Sequence, residues 1–169
     1  MAAGPEHGES LAEVYGGRVR VRVGALVFDE AGASVLLVEH AGRGADRPFW
    51  TPPGGGVDFG EPLHAALRRE VEEETGLAVH VGPLRYVLDF VRPPLHAVSF
   101  YFECRIEGGT LAAGTDPELG EGQLIRRVRF APFAELAGLN LYPEGLAARL
   151  PADVRAGFPF GTCYLGTLH

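Results

Sequence analysis

Polar and apolar residues alternate strictly from Arg18 to Val23, as Arg-Val-Arg-Val-Arg-Val, and the apolar run then continues through Ala25, Leu26, Val27 and Phe28. A period of two predicts a strand, with Val19, Val21 and Val23 on one face. Residues 29–33 contain Gly32 and read as a turn, residues 35–38 as a second short strand, and the two strands together as a hairpin. A loop rich in Gly and Arg from residue 40 to 48 leads into Phe49-Trp50-Thr51 and then Pro52-Pro53-Gly54-Gly55-Gly56, where no helix can continue.

The period then changes. Pro62 stands where a first helical residue would, Leu63, Leu67 and Val71 recur on one helical face, and Gly76 supplies a stop. Residues 77–90 and 97–106 read as strands, the first interrupted at Gly82-Pro83 and the two separated by Arg92-Pro93-Pro94. Residues 107–122 form a long loop of glycines and acids, a length that points to a task. A strand at 124–130 follows, then short helices opened by Pro132 and Pro143, while the C-terminal residues carry no clear period. Strands and helices interleave, which predicts an α/β or α+β class with helices packed on a mixed sheet. Residues 1–17 are small, acidic and glycine-bearing and read as a loosely held, flexible arm; residues 18–169 read as a single domain.

Composition narrows the function. Of the 169 residues 46% are hydrophobic, enough to close a core, and 22 acids against 15 bases leave a net charge of -7. That balance lacks the basic footprint of a duplex nucleic-acid binder. Every base is an arginine, so Schiff-base chemistry and a lysine-dependent phosphate loop are excluded. The start, from Met1 to Tyr15, has neither a basic segment nor an apolar run, and no stretch approaches the ~20 apolar residues of a membrane span, so a cytoplasmic location without membrane partners is expected. In that compartment Cys104 and Cys163 are expected as free thiols, with Cys104 packed in the core.

Chemistry concentrates on the helix after Pro62, where Glu70, Glu72, Glu73 and Glu74 crowd the last turn. Like charges at that spacing cost about 0.2–0.5 kcal/mol per pair and oppose the helix dipole, so stability alone does not favour them. At about 100° per residue from Leu63, Glu74 lies at about 20°, Glu70 at about 340° and Glu73 at about 280°, along the edge of the buried stripe; Glu72, at about 180°, faces solvent. Three convergent carboxylates form a hard oxygen set suited to Mg²⁺, Mn²⁺ or Ca²⁺ rather than zinc. Arg69 is placed to pair with one of them and hold it ionised.

The spacing extends further. Gly55, five residues, Glu61, seven residues and then Arg69-Glu70-Val71-Glu72-Glu73-Glu74-Thr75-Gly76-Leu77 reproduce every fixed position of the Nudix box, and the chain resembles a Nudix hydrolase. The resemblance implies an α/β/α sandwich around a mixed β-sheet, with the box as loop, helix and loop. It further implies that Glu70, Glu73 and Glu74 bind Mg²⁺ or Mn²⁺, with Glu70 sometimes the base, that Arg69 orients Glu70, and that Gly54 offers its carbonyl to a metal. Glu61 would support the box loop, and Gly55 and Gly76 would be geometric. Glu118 and Glu121 are candidates for a base outside the box.

The implied reaction is metal-dependent hydrolysis of a pyrophosphate bond in a nucleoside diphosphate linked to another moiety: a nucleotide sugar, a nucleoside triphosphate, a dinucleoside polyphosphate or similar. The partner is then a small nucleotide, and a homodimer is left open. Arg43 and Arg47 are candidates for a phosphate arm, and Trp50 for stacking on a base; Tyr86, Phe90 and Tyr101 read as core or as further stacking surfaces. His40 and His96 read as surface residues. The alternatives on the same fold are a noncatalytic nucleotide sensor and an isoprenoid diphosphate isomerase. Against the first stands the intact box, and against the second the apolar setting of Cys104.

Overall fold

A computed structural model of the chain describes residues 11–41, 47–114 and 125–168. In order, the elements are α1 (Leu11–Tyr15), β1 (Val19–Val27), β2 (Ser34–His40), β3 (Phe49–Thr51), α2 (Leu63–Thr75), β4 (Leu77–Arg92), β5 (Leu95–Gly109), β6 (Ile125–Pro132), a 3₁₀ helix (Phe133–Gly138), α3 (Gly145–Arg155) and β7 (Cys163–Leu168). The strands divide into a mixed sheet of order β1-β5-β4-β7 and an antiparallel sheet of order β3-β2-β6. β1 runs parallel to β5, β4 antiparallel to β5, and β7 parallel to β4.

The fold is the expected α+β arrangement, with its strands in two sheets instead of one. The hairpin expected of β1 and β2 is reduced to a single bridge, Phe28 to Val35. After the turn at Asp29, whose Oδ1 accepts bonds from Ala33 N and Ser34 N, β1 continues into one sheet and β2 into the other. The break expected at Gly82-Pro83 is a shift of register within one continuous strand, β4. Proline tolerates such a place because its missing N–H interrupts the ladder there in any case.

Alternation along β1 explains the layers. Val23, Ala25 and Val27 pack with Val79, Phe102 and Cys104 against Ala66, Leu67 and Val71 of α2, while Leu26 faces the opposite side. There it joins Val35, Leu37, Trp50 and Tyr86 beneath Leu146 and Leu150 of α3. Each fully buried Leu or Val contributes about 1.5–3 kcal/mol, so the two clusters hold α2 and α3 on opposite faces of the strand layer. Val19 and Val21, on the same strand face as the buried Val23, are 56% and 39% exposed and lie outside the cluster packed against α2.

Of the segment read as an arm, residues 1–10 lie outside the described residues. The remainder carries α1; Gly17 N donates to Pro94 O at 3.0 Å, and the Arg20 guanidinium lies 3.7 Å from the centre of the Tyr15 ring. Among the described residues, no helix is long and apolar enough to cross a membrane.

Candidate functional site

The helix α2 begins after Pro62 and ends at Gly76, which takes a left-handed conformation at φ 70° and donates its N–H to Glu72 O at 2.8 Å. A glycine is favoured there because a β-carbon opposes that conformation. The apolar period places Leu67 and Val71 in the core, and the same phase carries Glu70 and Glu74 inward with them: both glutamates are 0% exposed. Glu73 is half-buried and Glu72 exposed.

The loop between β3 and α2 passes directly over these acids. Its carbonyls at Pro53 and Gly55 accept bonds from Ala25 N and Val23 N at 2.8 and 2.9 Å, which ties the loop to β1. Gly54 N donates to Glu74 Oε2 at 2.8 Å. No side chain fits at Gly54, where a β-carbon would stand 2.1 Å from Val23 O.

Arg69 gathers the remaining acids. Its Nε and Nη2 donate to the two oxygens of Glu61 at 3.0 and 2.9 Å, a forked pairing that only a guanidinium supplies. Nη1 donates to Glu70 Oε1 at 2.7 Å and to Glu73 Oε2 at 3.3 Å, and Nη2 also reaches Gly56 O at 3.2 Å. Asp58 N adds a bond to Glu61 Oε2 at 3.2 Å. The Arg69 hydrogen bonds hold the Glu61 carboxyl below its ordinary range, and Glu61 in turn raises the Arg69 guanidinium. One cation thus offsets three carboxylates.

Two buried oxygens in this cluster, Glu70 Oε2 and Glu74 Oε1, accept no hydrogen bond, although each carboxylate is held through its other oxygen. Buried carboxylate oxygens left in this way suit a hard divalent cation, and the adjoining Gly54 carbonyl is of the same donor type. Among the described residues, no three His, Cys, Asp or Glu side chains are already arranged to hold a metal ion. Glu73 is the member drawn outward, toward Arg69.

The chain matches the NUDIX domain model over residues 18–150. It belongs to that family. A relative named ADP-ribose pyrophosphatase, from Methanocaldococcus jannaschii, is 39% identical over 92 residues, covering 52% of each protein. Nudix hydrolase 5 of Arabidopsis thaliana is 29% identical over 92 residues, covering 54% of this chain and 30% of that one. The chain spans about half the length of the first of these relatives and less of the second. Among solved structures, a NUDIX hydrolase from Nitrosomonas europaea superposes with a TM-score of 0.67 at 20% identity, over 89% of this chain and 78% of that one, a likeness of fold.

The family's box is the segment just described, and the structure brings Gly54, Gly55, Glu61, Arg69, Glu70, Glu73 and Glu74 into one cluster. Arg43, Glu118 and Glu121 lie outside the described residues, and Arg47 is exposed. Trp50, read as a stacking surface, is 5% exposed: its ring packs in the second cluster, with the guanidinium carbons of Arg127 and Arg129 at 5.4 and 5.1 Å from its centre. A β3 strand paired to β2 turns that ring inward, which leaves little face for a ligand.

His40, read as a surface residue, is buried. It bonds Thr51 Oγ1 at 3.0 Å and stacks on Phe49 at 5.0 Å, and burial lowers it to about 4, with the charge of Arg22 acting the same way. Position 40 is the last residue of β2, and a loop-like composition after it obscured the strand. Sequence patterning also missed the pair of Arg127 with the buried Glu39, bonded at 2.7 and 2.9 Å, because its members come from strands paired across the fold.

Proposed function

We propose that the chain hydrolyses a pyrophosphate bond in a nucleoside diphosphate linked to another moiety, in a reaction that depends on a divalent cation. The observation that carries this reading is the packing of two wholly buried helix carboxylates, Glu70 and Glu74, against the Gly54-Gly55 backbone, with Arg69 fixing the outer acids. Burying two like charges is costly; Arg69 engages one oxygen of Glu70 and Gly54 N one of Glu74, and a bound divalent cation would offset more of the paired negative charge. Relatives named ADP-ribose pyrophosphatase and RNA pyrophosphohydrolase support the bond class.

Glu70, Glu73, Glu74 and the Gly54 carbonyl would hold Mg²⁺ or Mn²⁺. When bound, such an ion supplies charge neutralisation at a diphosphate and eases deprotonation of water. The chain's own residues do the rest. Arg69 fixes one oxygen of Glu70 and restrains Glu73, so the carboxylates are set before substrate arrives and little reorganisation is needed. Glu61 holds Arg69 through Nε and Nη2 and so transmits the shape of the box loop to the acids. Water oxygen attacks one phosphorus, the bridging P–O bond breaks, and both products leave as phosphates. The water proton passes to a carboxylate, Glu70 or an acid of the 107–122 loop, where Glu118 and Glu121 remain the candidates. Arg43 and Arg47 are the candidates to meet the phosphate arm.

The isomerase reading needs a reactive thiol, and burial pushes the Cys104 thiol up to about 12, far from thiolate chemistry near neutral pH. The deciding experiment incubates purified protein with Mg²⁺ or Mn²⁺ and a panel of nucleoside diphosphate derivatives in ¹⁸O-labelled water. Mass spectrometry should find two phosphorylated products, one carrying a single labelled oxygen. No cleavage of any compound, together with unchanged ligand binding in Glu73→Gln, would replace the enzyme with a binding module.

A further inference from the structure

The last turn of a helix leaves carbonyls without partners inside the helix, and in α2 that turn carries Glu73 and Glu74. Here the carbonyls are taken by a segment distant in sequence. Beyond β5 the backbone runs past the end of α2, and Gly114 N donates to Glu74 O at 2.9 Å, Ala112 N to Thr75 O at 3.0 Å and Thr110 N to Gly76 O at 3.3 Å. Three consecutive carbonyls of the box are thus capped by alternate amides of one strip of chain.

The fit is closer than a hydrogen-bonded cap requires. A β-carbon at Gly114 would lie 1.7 Å from Glu73 O, 2.8 Å from Glu73 C and 3.0 Å from Glu74 C, all backbone atoms that cannot swing aside. The strip therefore touches the peptide units from which the Glu73 and Glu74 side chains spring, and position 114 admits only glycine.

We propose that residues 110–114 are a positioning clamp for the cation-binding turn of α2, with Gly114 its determining residue. The inference rests on the metal-dependent reading given above. Arg69 and Gly54 hold the acids by their carboxylates; the clamp holds the same turn by its backbone. With both in place the direction of each side chain is set from two ends. A shift of the turn by a fraction of an ångström moves the carboxylates of Glu73 and Glu74 relative to Glu70, which sits one turn earlier and is anchored separately beneath Gly55.

Two variants loosen the clamp by different means: Gly114→Ala drives a methyl into the helix backbone, and Ala112→Pro removes one donor without adding bulk at Glu73. Val35→Ala, a cavity variant in the other core cluster, lowers stability without touching the clamp. Gly108→Ala adds a methyl where no atom lies within 4 Å. Mn²⁺ dissociation constants, read by electron paramagnetic resonance well below each variant's melting temperature, separate positioning from stability. Both clamp variants should bind Mn²⁺ at least about tenfold more weakly than the parent, and kcat should fall with them. Val35→Ala and Gly108→Ala should keep the parental constant.

If a folded Gly114→Ala or Ala112→Pro protein binds Mn²⁺ within twofold of the parent, the clamp has no positioning role. The same conclusion follows if affinity tracks melting temperature across all four variants. A parent that binds no Mn²⁺ and cleaves nothing overturns the metal-dependent reading as well. A parent that binds and cleaves, beside clamp variants that match it, overturns only the clamp.

Discussion

Gly55 is packed against the end of Glu70, so that a β-carbon at residue 55 would stand 2.5 Å from the carboxyl carbon and 2.5 and 2.6 Å from its oxygens. Glycine here makes room for an acid. Gly55→Ala should therefore push the carboxylate away from Arg69 Nη1 while leaving Glu70 itself unchanged. Misplacement of a catalytic group by about 1 Å commonly costs about 100-fold in rate, and a loss of that order in kcat/KM is expected. Gly138→Ala, with nothing within 4 Å of the added carbon, is the comparison and should retain parental turnover. Equal activity in the two variants would detach Glu70 from the reaction.

The pairing of Arg69 with Glu61 has a pH signature. Arg69 hydrogen bonds lower the Glu61 carboxyl from its usual 4.5, so the folded state binds that proton less readily than the unfolded chain. The resulting stability is fully present above about 4.5 and is lost as pH falls through the lower, folded value. Glu61→Gln should cost about 1.5–3 kcal/mol at pH 7, the range for hydrogen bonds to charged groups. The gap to the parent should narrow as pH falls below about 4. Urea midpoints at pH 7 and pH 3 test this; a gap that is constant with pH would show that the pair does not titrate as a unit.

The box helix was legible because one period carries two kinds of information. Leu63, Leu67 and Val71 give the buried stripe, and Glu70 and Glu74 fall in phase with it while Glu72 falls opposite. Local spacing settles a helix face, but it says nothing of which strand a strand will meet. β1 read correctly as a strand and wrongly as half of a hairpin, since its partner β5 lies far along the chain and the pairing is parallel. Trp50 and His40 were misplaced for the same reason: their burial depends on pairing of β2 with β3, with Trp50 packed in the second cluster and His40 held by Thr51 and Phe49. The cap on α2 by residues 110–114 was equally hidden, since it is made of backbone amides that carry no residue signature beyond glycine.

His40 titrates in the opposite sense from a histidine that gains an acidic partner. Burial lowers it from 6.5 to about 4, so the unfolded chain takes up a proton below about 6.5 while the folded chain does not. Stability should fall as pH drops from about 6.5 toward 4 and level off below. The contribution is about 2 kcal/mol at pH 5 by linkage. His40→Gln, which keeps a hydrogen-bonding group near Thr51 and cannot titrate, should flatten this part of the profile. Denaturation at pH 7.5 and pH 5 measures it, and a parental slope in the variant would assign the acid sensitivity to other groups.

Tyr86 joins the sheet to α3 through Asp153. Its ring is wholly buried, its hydroxyl donates to Asp153 Oδ2 at 2.8 Å, and Arg149 Nε donates to the same oxygen at 2.8 Å. Removing the hydroxyl leaves Asp153 one donor short but still paired. Tyr86→Phe should cost about 1–2 kcal/mol, with kcat/KM unchanged because the cluster lies in the core opposite α2. A fall in turnover larger than the fall in stability would connect α3 to the site.

The two thiols should differ sharply in reactivity. Cys104 is 6% exposed in the core beneath α2 and burial pushes its thiol up to about 12, whereas Cys163 is half-buried on β7 with Arg149 Nη2 at 3.2 Å from its sulfur. A thiolate is the attacking form, so at pH 8 Cys104 offers neither access nor a useful ionised fraction. Titration of the native protein with a chromogenic disulfide should release one equivalent per chain, and denatured protein two. Peptide mapping should find the native label on Cys163, and Cys163→Ser should abolish the native reaction without restoring it at Cys104. Rapid labelling of Cys104 in the folded chain would mean that the core between α2 and the mixed sheet opens readily, and the buried carboxylates of Glu70 and Glu74 would then be expected to meet solvent as well.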